Sequence, residues 1–195
     1  MNSVTAKKTA WQRRFQKIAR RIRVPLGFVF AAFYLWQARP TCTTLLWSLA
    51  LVLPGLWLRA YASGYVKKNS ELAVTGPYAY TRNPLYLGSM LMAFGFAAAS
   101  HSWVVLIVLA VLFFSIYLPT ILSEEEFLRG AFPAFAEYAA RVPRLLPRLT
   151  PARVAQAEAG SFSGALYRRH REYNALIGVA ALYAALALRM FFAAR

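Results

Sequence analysis

Apolar residues fill this chain in five blocks, at 24–38, 42–58, 85–99, 103–122 and 174–194, with short polar segments between them. None alternates with the two-residue period of a half-buried strand, so each reads as a helix. A full bilayer crossing takes about 20 residues. The fourth block reaches that length, as does the fifth, with Arg189 near its end where a long cationic side chain can snorkel to the surface. The first three are shorter and need local thinning or flanking aromatics to cross. Trp36, Trp57 and Trp103 stand at block ends, where an interfacial aromatic belt would place them. The pattern predicts an all-α fold, a multi-pass transmembrane helical bundle of about five spans.

The polar segments add direction. Eight Lys and Arg precede the first block, four lie between the second and third, and eight lie between the fourth and fifth, against Arg39, Arg189 and Arg195 in the alternate positions. The positive-inside bias puts the N-terminus and both long polar segments on the cytoplasmic side. In the arm before the first block, Trp11, Phe15, Ile18 and Ile22 recur at helical spacing, which predicts a basic amphipathic helix on an anionic membrane surface. A solvated basic tail fits the same residues. Residues 150–165 are rich in Ala, Gly and Ser and read as a linker. The expected organisation is an N-terminal arm over 1–23, a membrane core over 24–149, and a linker with an extra C-terminal helix over 150–195.

Composition narrows the function. Of 195 residues, 59% are hydrophobic, and the net charge is +16. Basic residues that flank apolar spans are explained by topology and by anionic phospholipid headgroups, so no nucleic-acid partner is expected. No cleavable leader is evident after the first basic stretch. One Cys, Cys42, rules out an internal disulfide. Two His, 101 and 170, and no Asp argue against a metal cage. There is no glycine-rich nucleotide loop of the soluble type.

All seven acidic residues are Glu, and three of them stand together as Glu124, Glu125 and Glu126, directly after a span from Asn83 to Ser123 without Asp, Glu, Lys or Arg. The residues before that span, 76–88, are rich in Gly, Pro, Tyr and Asn. Gly76-Pro77 and Asn83-Pro84 are turn signals, and Pro84 suits the first turn of a helix. If 85–122 is a helical hairpin, the turn segment and the Glu triplet meet at one face of the membrane. A carboxylate at the edge of a low-dielectric slab attracts cations more strongly than one in water, so the pair suggests a site for a cationic ligand. A structured loop with interfacial tyrosines and a solvated charged helix extension would give the same pattern. A break is expected near Gly130 or Pro133, after which Glu137-Tyr138 and 141–147 either fold over the site as a cap or lie along lipid headgroups.

In order and spacing, residues 71–87, the uncharged hairpin, the Glu triplet and the Glu137–Pro147 tail resemble the integral-membrane methyltransferases related to isoprenylcysteine carboxyl methyltransferase and to phospholipid methyltransferases. The resemblance covers 60–147. It implies a cytosolic pocket for S-adenosyl-L-methionine, formed by loops and a C-terminal cap, with cofactor contacts from Ser70, Glu71, Leu72, Ala73, Tyr78, Asn83, Pro84, Leu85 and Tyr86, and with Glu124 as the cofactor carboxylate. Two departures stand out. The family's His in Arg-His-Pro is Asn83 here, which hydrogen-bonds but takes no positive charge. The Arg that engages a prenylcysteine carboxylate, four residues before the first Glu, is Thr120 at the substrate-binding position. The resemblance therefore implies methyl transfer to a lipophilic membrane acceptor other than a prenylcysteine. A nicotinamide-dependent relative of membrane sterol reductases, or a non-catalytic membrane scaffold, are the competing expectations.

Overall fold

A computed structural model describes residues 29–67, 71–152 and 160–193. The expected amphipathic arm, the first residues of the first apolar block and Ser70 lie outside the described residues. Among those described, the chain is helical without strands. Helix α1 is described over 29–37, α2 is Cys42–Ser63, a single 3-10 turn covers Gly76–Ala79, and α3 is Pro84–Ser100. Helix α4 runs unbroken over Trp103–Ala131 and contains a π-helical segment, Phe113–Tyr117. Short helices α5 (Phe135–Arg141) and α6 (Gly164–Arg169) precede α7, Tyr173–Ala193.

Three of these helices are long and apolar enough to cross a membrane: Cys42–Ser63, Trp103–Ala131 and Tyr173–Phe192; the apolar Pro84–Ser100 is shorter. The second block thus makes a longer helix than its apolar run predicts. Its helix continues through Arg59 to Ser63, where Arg59 is half-buried and paired with Glu172 from later in the chain. At its start, Thr41 and Thr44 cap α2 reciprocally, each hydroxyl accepting the other's backbone N–H. Helix α4 leaves the regular α-helical ladder for a local reason. Pro119 has no N–H to offer Ser115, and one turn earlier the ladder has slipped, with Leu118 N–H bonded to the Phe113 carbonyl.

Small residues bring α2 and α3 together along most of their length. A Cβ at Gly55 would lie 2.6 Å from the Gly88 carbonyl oxygen, one at Gly88 would lie 2.6 Å from the Gly55 oxygen, and one at Gly95 would press on Val52 and the Ser48 carbonyl. Lipid gives helices no hydrophobic reason to associate, so close backbone approach is what holds such a pair. His101, in the left-handed region at φ 51, turns α3 into α4. At this end Tyr34, Ala97, Ala99, Val105 and Leu186 form a buried cluster drawn from four helices, and Tyr34 Oη donates to the Phe96 carbonyl at 2.8 Å. Arg189, expected to snorkel, instead donates to the carbonyls of Trp36 (2.7 Å) and Ala38 (2.6 Å). Carbonyls left over where α1 ends need donors, and this guanidinium supplies them.

The antiparallel order of α2, α3, α4 and α7 sends 59–67, 71–86, 124–152 and 160–172 to the opposite end. Substituting Leu at Gly88 should cost about 1–3 kcal/mol through overpacking of the α2–α3 seam. Ala at Gly130, where a Cβ would meet nothing within 4 Å, should gain about 0.5–1 kcal/mol. Unfolding in detergent measures both; equal effects at the two glycines would refute the seam.

Candidate functional site

The turn segment is built around residues that only fit one way. Gly76 has φ 58, and a Cβ there would run into the Tyr65 ring. Pro77 opens the 3-10 turn, which buries Pro77, Tyr78 and Ala79. Asn83 precedes Pro84, the first residue of α3. This irregular backbone leaves carbonyls and N–H groups unmet, and the chain after α5 meets them. Tyr138 Oη donates to the Tyr78 carbonyl (2.8 Å), Arg148 N–H to Tyr80 (3.0 Å) and Ala152 N–H to Ala79 (2.9 Å). In the other direction, Arg82 N–H donates to Pro143 (2.9 Å), and Thr81 Oγ1 lies 3.1 Å from the carbonyls of Arg144 and Leu145. Under this strap Phe135, Tyr138 and Val142 are buried against Leu72 and Val74. Residues 138–152 therefore fold back onto the turn segment as a cap.

One carboxylate joins all three parts. Glu125 is buried; its Oε1 accepts from Asn83 Nδ2 at 3.1 Å and lies 3.2 Å from Arg82 Nε, while its Oε2 pairs with Arg144 Nε (3.1 Å) and Nη2 (3.0 Å). The Arg82 Nε contact is an ion pair rather than an aligned hydrogen bond. Asn83 Nδ2 also donates to the Arg144 carbonyl at 3.1 Å. Asn83 suits this place because a neutral amide adds a donor between two guanidinium groups without adding a third charge.

The inward member of the triplet is thus Glu125, and it is committed to protein partners. Glu124 and Glu126 are exposed. Among the described residues no cation or donor is paired with the Glu124 carboxylate, yet its charge is felt by Tyr78. Burial pushes the Tyr78 phenol far above the ordinary tyrosine range; Tyr138, Glu124 and Glu172 push the same way, and Arg59 opposes them. Burial raises the Tyr138 phenol as well. Both are held as neutral phenols.

The other residues of interest divide. Pro84 is buried beside Asn83, and Leu85 and Tyr86 are half-buried in the first turn of α3. The Tyr86 ring meets Tyr117, in the π segment of α4, edge to face at 6.0 Å. Leu72 joins the cap's apolar core, Ala73 is half-buried beside it, and Glu71 lies outside, paired with Lys67 at 2.9 Å. Thr120 is exposed, and its hydroxyl donates to the Ile116 carbonyl of its own helix at 2.6 Å. The structure therefore brings Asn83, Pro84 and Glu125 together next to the turn that buries Tyr78; Glu71 is exposed and paired with Lys67, and Thr120 lies one helical turn before Glu124 on the same face of α4.

Several contributors were not singled out from sequence. Arg82 and Arg144 share the Glu125 carboxylate. Arg59, which counted only toward topology, forms a two-pronged pair with Glu172. His170, half-buried, has Nδ1 3.1 Å from the Ser63 carbonyl. The available signal was scarcity: with seven acids against 23 bases, each Glu next to Arg in an apolar chain is a candidate for a specific pair.

Ala in place of Glu125 should leave Arg82 buried without its counter-ion, costing about 3 kcal/mol and freeing the cap. Trypsin should then cut rapidly at Arg144 and Arg148; unchanged protection would show that the knot does not hold the cap. Phe in place of Tyr138 should cost about 1 kcal/mol through the lost bond to the Tyr78 carbonyl. Because both phenols titrate higher folded than unfolded, the stability they contribute is intact below the unfolded tyrosine value, about 10, and lost as pH climbs past it. Alkaline unfolding of the Tyr138→Phe protein should be the less steep of the two.

Residues 50–134 match the phospholipid methyltransferase family. The chain is also similar to the cobalt-zinc-cadmium resistance protein CzcN of Cupriavidus metallidurans, with 39% identity over 137 residues, which is 66% of this chain and 62% of that protein. A nickel-cobalt-cadmium resistance protein, NccN of Alcaligenes xylosoxydans xylosoxydans, is 39% identical over 95 residues, 49% of this chain and 44% of its own. The chain thus spans less than two thirds of the length of the curated relatives it matches. No solved structure matches significantly. From within α2 to the hinge between α4 and α5, the chain is similar to the phospholipid methyltransferase family, in line with the group of membrane methyltransferases that its motifs resemble.

Proposed function

We propose that the protein is an integral-membrane methyltransferase that moves a methyl group from S-adenosyl-L-methionine to a lipophilic acceptor in the bilayer, working at the cytoplasmic face. The observation that carries this reading is the Glu125 knot. It draws the turn segment, the end of α4 and the cap into one site, while Glu124 on the same helix turn is exposed, has no ion pair among the described residues, and adds its charge to the field that raises the Tyr78 phenol. The chain is strongly basic, and a cationic donor would be repelled by bare arginines. Glu125 offsets one of the two charges of Arg82 and Arg144, and Glu172 offsets Arg59, while Glu124 and Glu126 are exposed carboxylates without an ion pair among the described residues. That arrangement suits a ligand bearing an ammonium and a sulfonium.

Glu124 would hold the donor's ammonium, with Tyr78 and the first turn of α3 lining the remainder. When bound, the donor supplies an electrophilic methyl whose bond to sulfur breaks with the electron pair returning to sulfur. The protein's own task is to align the acceptor with that bond and to exclude water. Tyr78, kept neutral, acts as a hydrogen-bond donor or an apolar wall, not as a base. The half-buried Tyr86–Tyr117 pair, between α3 and the slipped segment of α4, fits a sideways opening toward lipid. Thr120, uncharged and bonded to its own helix, supports an acceptor other than a prenylcysteine carboxylate. The names of the two relatives suggest a role in metal resistance. Among the described residues no group of three or more His, Cys, Asp or Glu could hold a metal ion, so that role would run through a methylated membrane component rather than through an ion held by the protein.

Glu124→Ala should lower affinity for S-adenosyl-L-methionine at least tenfold by calorimetry, with unfolding in detergent unchanged. Equal affinity in the variant, or binding of NADPH in place of the methyl donor, would overturn the reading.

A further inference from the structure

The chain beyond residue 150 is stitched to the inner end of α2 at successive points. Ser163 N–H donates to the Gly64 carbonyl at 3.0 Å, and the Phe162 ring stacks on Tyr61 with centroids 6.1 Å apart. Next, His170 Nδ1 reaches the Ser63 carbonyl. The last and strongest tie is Glu172, one residue before α7. Arg59 Nε donates to its Oε2 at 3.1 Å, and Nη2 lies 3.0 and 2.9 Å from its two oxygens. The side chains are 23% and 12% exposed, so the pair is sheltered from water.

Arg59 has a second set of contacts. Its Nη1 donates to Ser89 Oγ and lies 3.4 Å from the Leu85 carbonyl, and Ser89 Oγ donates to that carbonyl at 3.0 Å. Its stem crosses Gly88, where a Cβ would sit 2.7 Å from Arg59 Cγ. The guanidinium therefore spans from the extension to the first two turns of α3, over the one residue whose lack of a side chain leaves room. The residues it steadies follow directly on Asn83 and Pro84, at the buried end of the site. Tyr78, on the preceding turn, senses both charges of the pair.

We propose that the C-terminal extension is a working part of the donor site, with Arg59 and Glu172 as positioning residues that fix the start of α3. This rests on the methyltransferase reading for its chemistry, although the coupling between the extension and α3 is a physical claim of its own. Bidentate geometry matters here. A guanidinium fork fixes direction in a way that an ammonium on a flexible stem does not, so Lys at position 59 keeps the charge and loses the alignment.

The test uses the full-length protein in lipid nanodiscs, comparing wild type with R59K, E172Q and E172D. Two quantities are read: affinity for S-adenosyl-L-methionine by calorimetry, and amide hydrogen exchange over residues 84–91. The expected result is an affinity about tenfold weaker in R59K and E172Q, partly restored in E172D, with faster exchange confined to the start of α3. Wild-type affinity in both R59K and E172Q would overturn the proposal. So would a loss of affinity accompanied by faster exchange throughout the protein in R59K, the mildest change, because that marks a merely structural contact. If wild type itself fails to bind the donor, the methyltransferase reading falls, and exchange decides the coupling alone: local loosening in the variants supports it, and unchanged exchange refutes it.

Discussion

A single carboxylate shared by Arg82, Asn83 and Arg144 holds the polar end of this protein together. Glu125 lies 42 residues after Asn83, and the intervening chain goes through the apolar hairpin and back. The Arg82 guanidinium could not be sheltered this far from water, with Arg144 on the same carboxylate, without a negative charge between them. Nor could the cap close, because the strap that supplies hydrogen bonds to the turn segment is the one that carries Arg144. The irregular backbone of 71–83 is tolerable at this depth only because that strap meets its exposed N–H and carbonyl groups.

The same logic explains how a chain with so few acids uses them. Glu125 and Glu172 sit in sheltered pairs that tie distant segments together. Glu71 and Glu137 make exposed pairs with Lys67 and Arg141 one helical turn away, which contribute little. Glu124 and Glu126 are exposed and make no ion pair among the described residues.

Geometry along the membrane axis rests on a different constraint. Glycines at 55, 88 and 95 let α2 and α3 approach until backbone meets backbone. Gly88 serves two needs, since the gap it leaves also passes the Arg59 side chain toward Glu172. Helix α4, by contrast, is mostly exposed along its apolar length, and its π segment faces the first turn of α3 through Tyr117 and Tyr86. The rigid side of the site is thus the α2–α3 seam, and the lipid-facing side is the slipped helix.

Much of this plan was legible in the residues. Apolar block lengths, the turn signals at Gly76-Pro77 and Asn83-Pro84, and the break after Gly130 follow from local physics: hydrophobic length, proline geometry and positive φ operate within a few residues. The meeting of the turn segment with the Glu triplet also follows, because a hairpin must return to the face it left. What the sequence could not decide was which glutamate turns inward, that Arg189 satisfies the end of α1, or that Arg59 reaches Glu172. Side chains one residue apart on a helix differ by about 100° in direction, and only the packed neighbours say which direction is inside. Charge pairing between residues more than a hundred positions apart is likewise a property of tertiary contact, where the low dielectric that makes a lone charge costly also selects its partner.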